Sequence, residues 1–330
     1  FGSRAPPSSR PSPRAEAAGV VADRAGRAAA PPMPCGMSGR PAHTPEVAAS
    51  SPCCPPSGHG AAEPPEGFVP SGEMQSFDGI ECYVVGSGTS ALIVGHDIFG
   101  MKSGRTQAIC DELATTLGVL VVLPLFFEGG CCGGQEVTDA MCRVIDKDPG
   151  RTWGRWFSDW ATGLFNAPAF LRAMKALPWA VAGPKLHDKV IPAVKQRGAE
   201  KIGVLGFCWG GWLAFHASAS TDICCAVGCH PSQAKLADWL REDFPAMCAA
   251  VRCPQMLLSA QDDQAETKEG GIAEQTLKGK DQLGAESVFK TFPDMKHGWV
   301  NRGNLEDPAV ARDYKEAMSM VIPFLRKHLL

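Results

Sequence analysis

No run of eighteen or more apolar residues occurs in the 330-residue chain, which excludes a membrane-spanning helix. An excess of charge is missing too. The 32 Lys and Arg stand against 35 Asp and Glu, a net charge of −3. That excludes a broad electrostatic attraction to nucleic acid or an anionic membrane. No C-x-x-C pair finds a second to match it, so a structural zinc site is not expected. No internal repeat is visible. The first fifty residues hold no lysine and few acids.

What is present is an ordinary globular composition, 45% hydrophobic and 20% charged. The 14 cysteines are dispersed, and the chain is neither short nor of evident secreted type. They are expected to be mostly reduced and buried, in a cytoplasmic compartment. The stretch ahead of the body is rich in Ala, Pro, Ser and Arg. Two readings of it compete. One is a plastid or mitochondrial transit peptide. The other is translated upstream sequence with Met33 or Met37 as the start, favoured because the many prolines oppose an amphipathic helix. On either reading, residues 1–66 form a disordered, dispensable arm, and residues 67–330 form one domain.

From Met74 onward the pattern changes. "MQSFDGIECYVV" reads as a hairpin turning at Asp78-Gly79. "SALIVGH", "VLVVLPLFF", "KIGVLGF", "ICCAVGCH", "PQMLLSAQDD" and "ESVFKTFP" read as strands, most of them buried. Helical spacing appears in "SGRTQAICDELATTLG", "PKLHDKVIPAVKQRG", "WGGWLAFHASAS" and the terminal "PAVARDYKEAMSMVIPFLRKHLL". Pro184 is expected near the first turn of its helix, and a bend is expected at Pro323. "TKEGGIAEQTLKGK" is a helix weakened by Gly270-Gly271. The interrupted helical stretch from Gln135 to Leu177 carries Trp153, Trp156 and Trp160, which are candidates to line a pocket. Alternating strands and helices predict an α/β class with a mostly parallel central sheet and helices on both faces.

Gly206-Phe207-Cys208-Trp209-Gly210 is G-x-C-x-G, the cysteine form of a nucleophile elbow. The strand-to-helix turn is tight, so flanking side chains would collide with neighbouring backbone. The thiol sits at a helix N-terminus, where the dipole favours thiolate. The N–H of Trp209 then points where an oxyanion would form. In the chain order nucleophile, acid, histidine, the acid falls at Asp262-Asp263, beyond a strand end, and the histidine at His297. His328 lies on the last helix, and His230 precedes the acid.

The motifs "GHDIFGM", "GFCWGGW", "SAQDDQ" and "KHGWVNR" resemble those of the dienelactone hydrolase family of α/β-hydrolases, over about Phe68 to Leu330. "CCPP" at Cys53 is similar to the start of some eukaryotic members. The resemblance implies the α/β-hydrolase fold and hydrolysis of a small carboxylic ester or lactone. It implies Cys208 as nucleophile, His297 as base and Asp263 as orienting acid, with an acyl-cysteine intermediate. It places Asp97 where bacterial members carry glutamate, as the acid that helps activate the cysteine. Ile98 and Trp209 would form the oxyanion hole. Arg302 would bind a substrate carboxylate, with Arg151 or Arg155 as a candidate second arginine; its alternative is a surface pair with Glu306.

No metal or organic cofactor is implied, because this chemistry needs only protein groups and water. The expected partner is a small-molecule ester or lactone, anionic if Arg302 reads it, and the chain is expected to be a monomer. Two alternatives stay open: a catalytically silent ligand-binding member of the fold, and a thiol-redox protein using Cys208.

Overall fold

The computed structural model describes residues 54–55, 57–127, 154, 161 and 175–330. The chain divides after Glu46, and every described residue belongs to the unit Val47–Leu330. The tryptophan-rich stretch, with Arg151 and Arg155, lies outside the described residues apart from Trp179 and its surroundings.

The sheet opens with the expected hairpin. β1 (Glu73–Phe77) and β2 (Ile80–Val85) pair antiparallel. Asp78 and Gly79 both turn with positive φ, 49° and 81°. Such a two-residue turn matches the right-handed twist of the strands it joins. β3 (Ser90–Gly95) leads into α1 (Thr106–Leu117), which ends at the left-handed Gly118, and then into β4 (Leu120–Pro124). β5 (Lys201–Phe207), β6 (Cys225–Cys229), β7 (Gln255–Ala260) and β8 (Val288–Phe292) complete a sheet of order β1-β2-β4-β3-β5-β6-β7-β8. From β4 to β8 every pairing is parallel. β3, β4, β6 and β7 are buried along their whole length. This is why they read as continuous apolar runs rather than as alternation.

Alternate residues of each strand face opposite layers. On one face Ile93 and Val204 pack with Leu186, Val190 and Val194, and with Trp212 and Leu213. These come from a helical run and from α4 (Trp209–Ala217). The run comprises α2 (Trp179–Pro184), a π-helical segment (Lys185–Val190) and α3 (Ile191–Gln196). On the other face Leu92, Val94 and Leu205 pack with Ile109 and Leu113 of α1. Val321, Phe324 and Leu325 join them from the terminal helix Pro308–Leu329.

One helix departs from expectation. Helix begins at Trp179, so Pro184 lies inside it rather than near its first turn. A second proline, Pro192, has no N–H to give the turn before it. The run accommodates both through the wider π segment between them. Gly270-Gly271 shortens the helix that follows to Ile272–Lys278. The terminal helix runs on through Pro323.

The boundary expected at residue 66 is corrected. Cys54 is only 1% exposed and sits in the main core cluster. Gly104 N–H donates to Ala62 O at 2.8 Å, and His59 N–H donates to His297 O at 2.7 Å. The described end of the arm, from Cys54 on, is docked on the body. Composition misled because the docking uses backbone hydrogen bonds and one thiol, not a stripe of apolar side chains.

Candidate active site

The sheet gathers the site at the C-terminal ends of its parallel strands. Gly95 of β3 lies in register with Gly206 of β5, so the loop after β3 runs beside the turn at Cys208. Cys208 adopts φ 55°, ψ −111°, a strained backbone for a residue with a side chain. Three hydrogen bonds hold it there. Its N–H donates to Cys229 O at 3.2 Å, and its carbonyl accepts from Gly211 N–H at 3.0 Å and Ser232 N–H at 3.2 Å. The flanking glycines are steric necessities. A Cβ on Gly206 would lie 1.9 Å from Gly210 O, and one on Gly210 would lie 2.1 Å from Gly95 O. α4 begins at Trp209, so Cys208 stands at the N-cap of that helix. Ile98 follows the end of β3, buried, with its N–H on the neighbouring loop.

His297 lies in the loop after β8. Its Nδ1 is 2.6 Å from Asp263 Oδ1, and both side chains are buried. Asp263 Oδ2 accepts from Ala260 N–H at 2.7 Å, which fixes the carboxylate at the end of β7. Asp262 serves differently: its Oδ1 accepts from the backbone N–H of His297 at 2.6 Å. Burial opposes a charge on His297, but the Cys208 sulfur and the Asp263 carboxylate outweigh it and raise its pKa to about 9. Burial raises the pKa of Asp263, and the His297 charge acts against that rise.

Asp97 and Arg302 find each other across the site. Arg302 Nη1 donates to Asp97 Oδ2, with both side chains fully buried. Asp97 also accepts from Phe99 N–H at 2.9 Å, Ser103 Oγ at 2.9 Å and Asn301 Nδ2 at 2.8 Å. Its carboxylate is spent on these four donors. The ion pair that Arg302 makes is this buried one, not the surface pair with Glu306 that stood as the alternative. Arg302 Nε donates to His59 O at 3.0 Å, its guanidinium lies 4.9 Å over the Phe99 ring, and Nη2 is buried without a hydrogen bond.

The motifs gave no sign of several neighbours. Cys54 Sγ is 3.4 Å from Cys208 Sγ, and Ser232 Oγ lies 3.4 Å from the same sulfur. His230, set aside on chain order, has its ring centre 5.0 Å from that of His297. Burial holds its pKa well below the usual histidine value, with His297 and Arg302 acting in the same direction, so it is neutral. The doublet "CC" before two prolines was the only signal for Cys54. The sulfurs of Cys54 and Cys208 and a ring nitrogen of His297 lie within 4.8 Å of one another. This is the only such donor group among the described residues, of the kind softer divalent ions take.

Comparison with known proteins accords with this geometry. The Dienelactone hydrolase family model matches residues 80–329. The chain belongs to the dienelactone hydrolase family. It is 31% identical over 281 residues to an uncharacterized AIM2 family protein of Schizosaccharomyces pombe, covering 83% of this chain and 98% of that one. A carboxymethylenebutenolidase homolog of Mus musculus is 26% identical over 259 residues, 76% of this chain and 88% of its own. Among solved structures, dienelactone hydrolase from Anabaena variabilis aligns with 15% identity and a TM-score of 0.43, over 78% of this chain and 97% of that one. The family match makes the protein a hydrolase acting on ester bonds, built on an eight-stranded, mostly parallel α/β sheet. Among the described residues, no helix is long and apolar enough to cross a membrane.

Proposed function

We propose that this dienelactone hydrolase family member cleaves small carboxylic esters or lactones through an acyl intermediate on Cys208. The observation that carries the reading is the buried His297–Asp263 pair at 2.6 Å, brought up to a thiol held on a strained, glycine-flanked elbow. With the His297 pKa raised to about 9, the imidazolium persists at neutral pH and stabilises a thiolate beside it. The thiolate attacks the carbonyl carbon. The N–H groups of Trp209 and Ile98 receive the oxygen that becomes negative. His297 gives its proton to the departing alkoxide, which leaves the acyl-cysteine and a neutral imidazole. That imidazole then takes a proton from water, whose oxygen attacks the thioester and releases the acid. Asp263 holds the ring in one tautomer throughout.

Asp97 supports this site from a distance, by fixing Arg302. Arg302 Nη2 is the guanidinium donor left to meet a substrate carboxylate, which favours anionic esters and lactones. The test is turnover of a p-nitrophenyl ester by wild type and by Cys208→Ala, with far-UV circular dichroism to confirm folding. The reading expects turnover in the first and its loss in a folded second. Equal turnover in both would sink it.

A further inference from the structure

We propose that Cys54 and Cys208 are a redox latch: peroxide oxidises Cys208, and Cys54 captures it in a reversible disulfide that shuts the hydrolase. The loss of activity rests on the reading of Cys208 as nucleophile; the bond itself does not.

The pairing starts from a sulfur–sulfur distance of 3.4 Å between two buried residues 154 positions apart. A disulfide spans about 2.05 Å, so closure asks for a shift of little more than an ångström. Cys208 is fixed by the elbow. Cys54 lies in a bend outside any helix or strand.

The approach of Cys54 is built, not incidental. Its carbonyl accepts from Lys235 Nζ at 3.4 Å. Ser57 Oγ donates to Asp262 Oδ2. His59 is held from both sides, its N–H by His297 O and its carbonyl by Arg302 Nε. At Gly58 a Cβ would stand 3.1 Å from His297 Cβ, so the segment lies directly on the loop that carries the base. The residues that anchor the arm are thus those around the base.

The chemistry also divides the two thiols. Hydrogen bonding to Cys208 and burial push the Cys54 thiol well above its ordinary pKa, so it keeps its proton. Cys208 lies beside the His297 and Arg302 cations, whose charges favour a thiolate there. Burial pushes Cys82, Cys229 and Cys248 up to about 12, which leaves them inert. The Cys208 thiolate attacks one oxygen of hydrogen peroxide. The O–O bond breaks, His297 protonates the departing hydroxide to water, and Cys208 becomes a sulfenic acid. The Cys54 sulfur then attacks the Cys208 sulfur. The S–O bond breaks, and the hydroxide leaves with the Cys54 proton as a second water. Two thiols have given two electrons to one peroxide. A dithiol reductant returns them by exchange.

The experiment titrates the metal-stripped full chain with a few equivalents of hydrogen peroxide. It follows ester turnover, recovery with dithiothreitol, and the non-reduced peptide map, in wild type and Cys54→Ser. The expected result in wild type is a cross-linked peptide joining Cys54 to Cys208, turnover lost in proportion to it, and full recovery with dithiothreitol. Cys54→Ser should lose turnover without recovery, with Cys208 carried on to sulfinic acid. Cys208 reaching sulfinic acid in wild type with no bridged peptide would overturn the latch. So would a bridge that forms without loss of turnover, or one that joins Cys54 to another thiol such as the half-buried Cys224. If the bridge fails while alkylation of Cys208 still abolishes turnover, only the latch fails and the catalytic reading stands.

Discussion

Two adjacent aspartates do separate work at the residue scale. Asp263 meets the imidazole of His297 and helps to raise its pKa to about 9, whereas Asp262 meets His297 through its backbone N–H alone. Asp263→Asn should therefore cost turnover heavily, toward the factor of about 10⁴ seen when a triad acid is lost. It should also move the alkaline limb of kcat/KM. In wild type, activity should fall as His297 loses its proton near pH 9. Removing one of the negative charges that hold this proton lowers the pKa, so the limb shifts to lower pH. Asp262→Asn should leave the limb in place, and a pH profile of both variants checks the assignment. Asp97 and Arg302 pose a stability question first. Arg302→Ala strands a buried carboxylate, at a cost of about 3–5 kcal/mol. Chemical denaturation should show Arg302→Ala strongly destabilised and Asp97→Asn/Arg302→Met nearer to wild type. Cys208, Asp263 and His297, the proposed nucleophile, acid and base, could be singled out in sequence because each follows its own parallel strand. The partner of Arg302 was not, because Asp97 lies 205 residues away while Glu306 is local in sequence.

Strands and helices were legible where one physical effect dominates. β3 to β7 are buried on both faces, so apolar runs mark them. The elbow is marked by glycines that backbone contact requires at Gly206 and Gly210. The helix from Trp179 was harder to delimit, because its two prolines read as boundaries and the π segment between them leaves no sequence mark. The arm was misread for a different reason. Its contacts are single hydrogen bonds to distant carbonyls and donors, and periodicity cannot reveal them. A chain beginning at Phe68 loses the His59 and Ala62 backbone bonds and the buried Cys54 side chain. Its melting temperature should drop, by roughly 2–4 °C for each kcal/mol removed from a domain of this size. Calorimetry on the full chain and the shortened one would show this, and equal melting temperatures would mean that the arm contributes nothing to the fold.

As a whole molecule, the protein combines an eight-stranded sheet, helices on both faces and a site at the ends of β3, β5, β7 and β8. The family match spans most of this body, from residue 80 to residue 329. The docked part of the arm lies ahead of that match, yet it reaches the same sulfur that the elbow presents. Everything proposed about mechanism and regulation therefore converges on one atom, Cys208 Sγ. The most direct measurement is to mix the reduced enzyme with excess p-nitrophenyl ester, quench in acid during the burst, and map the acylated peptide by mass spectrometry. The account predicts one acyl group per chain, carried on Cys208 as a thioester that hydroxylamine removes and absent from Cys208→Ala. An acyl group on any other residue, or turnover that persists in Cys208→Ala, would contradict it.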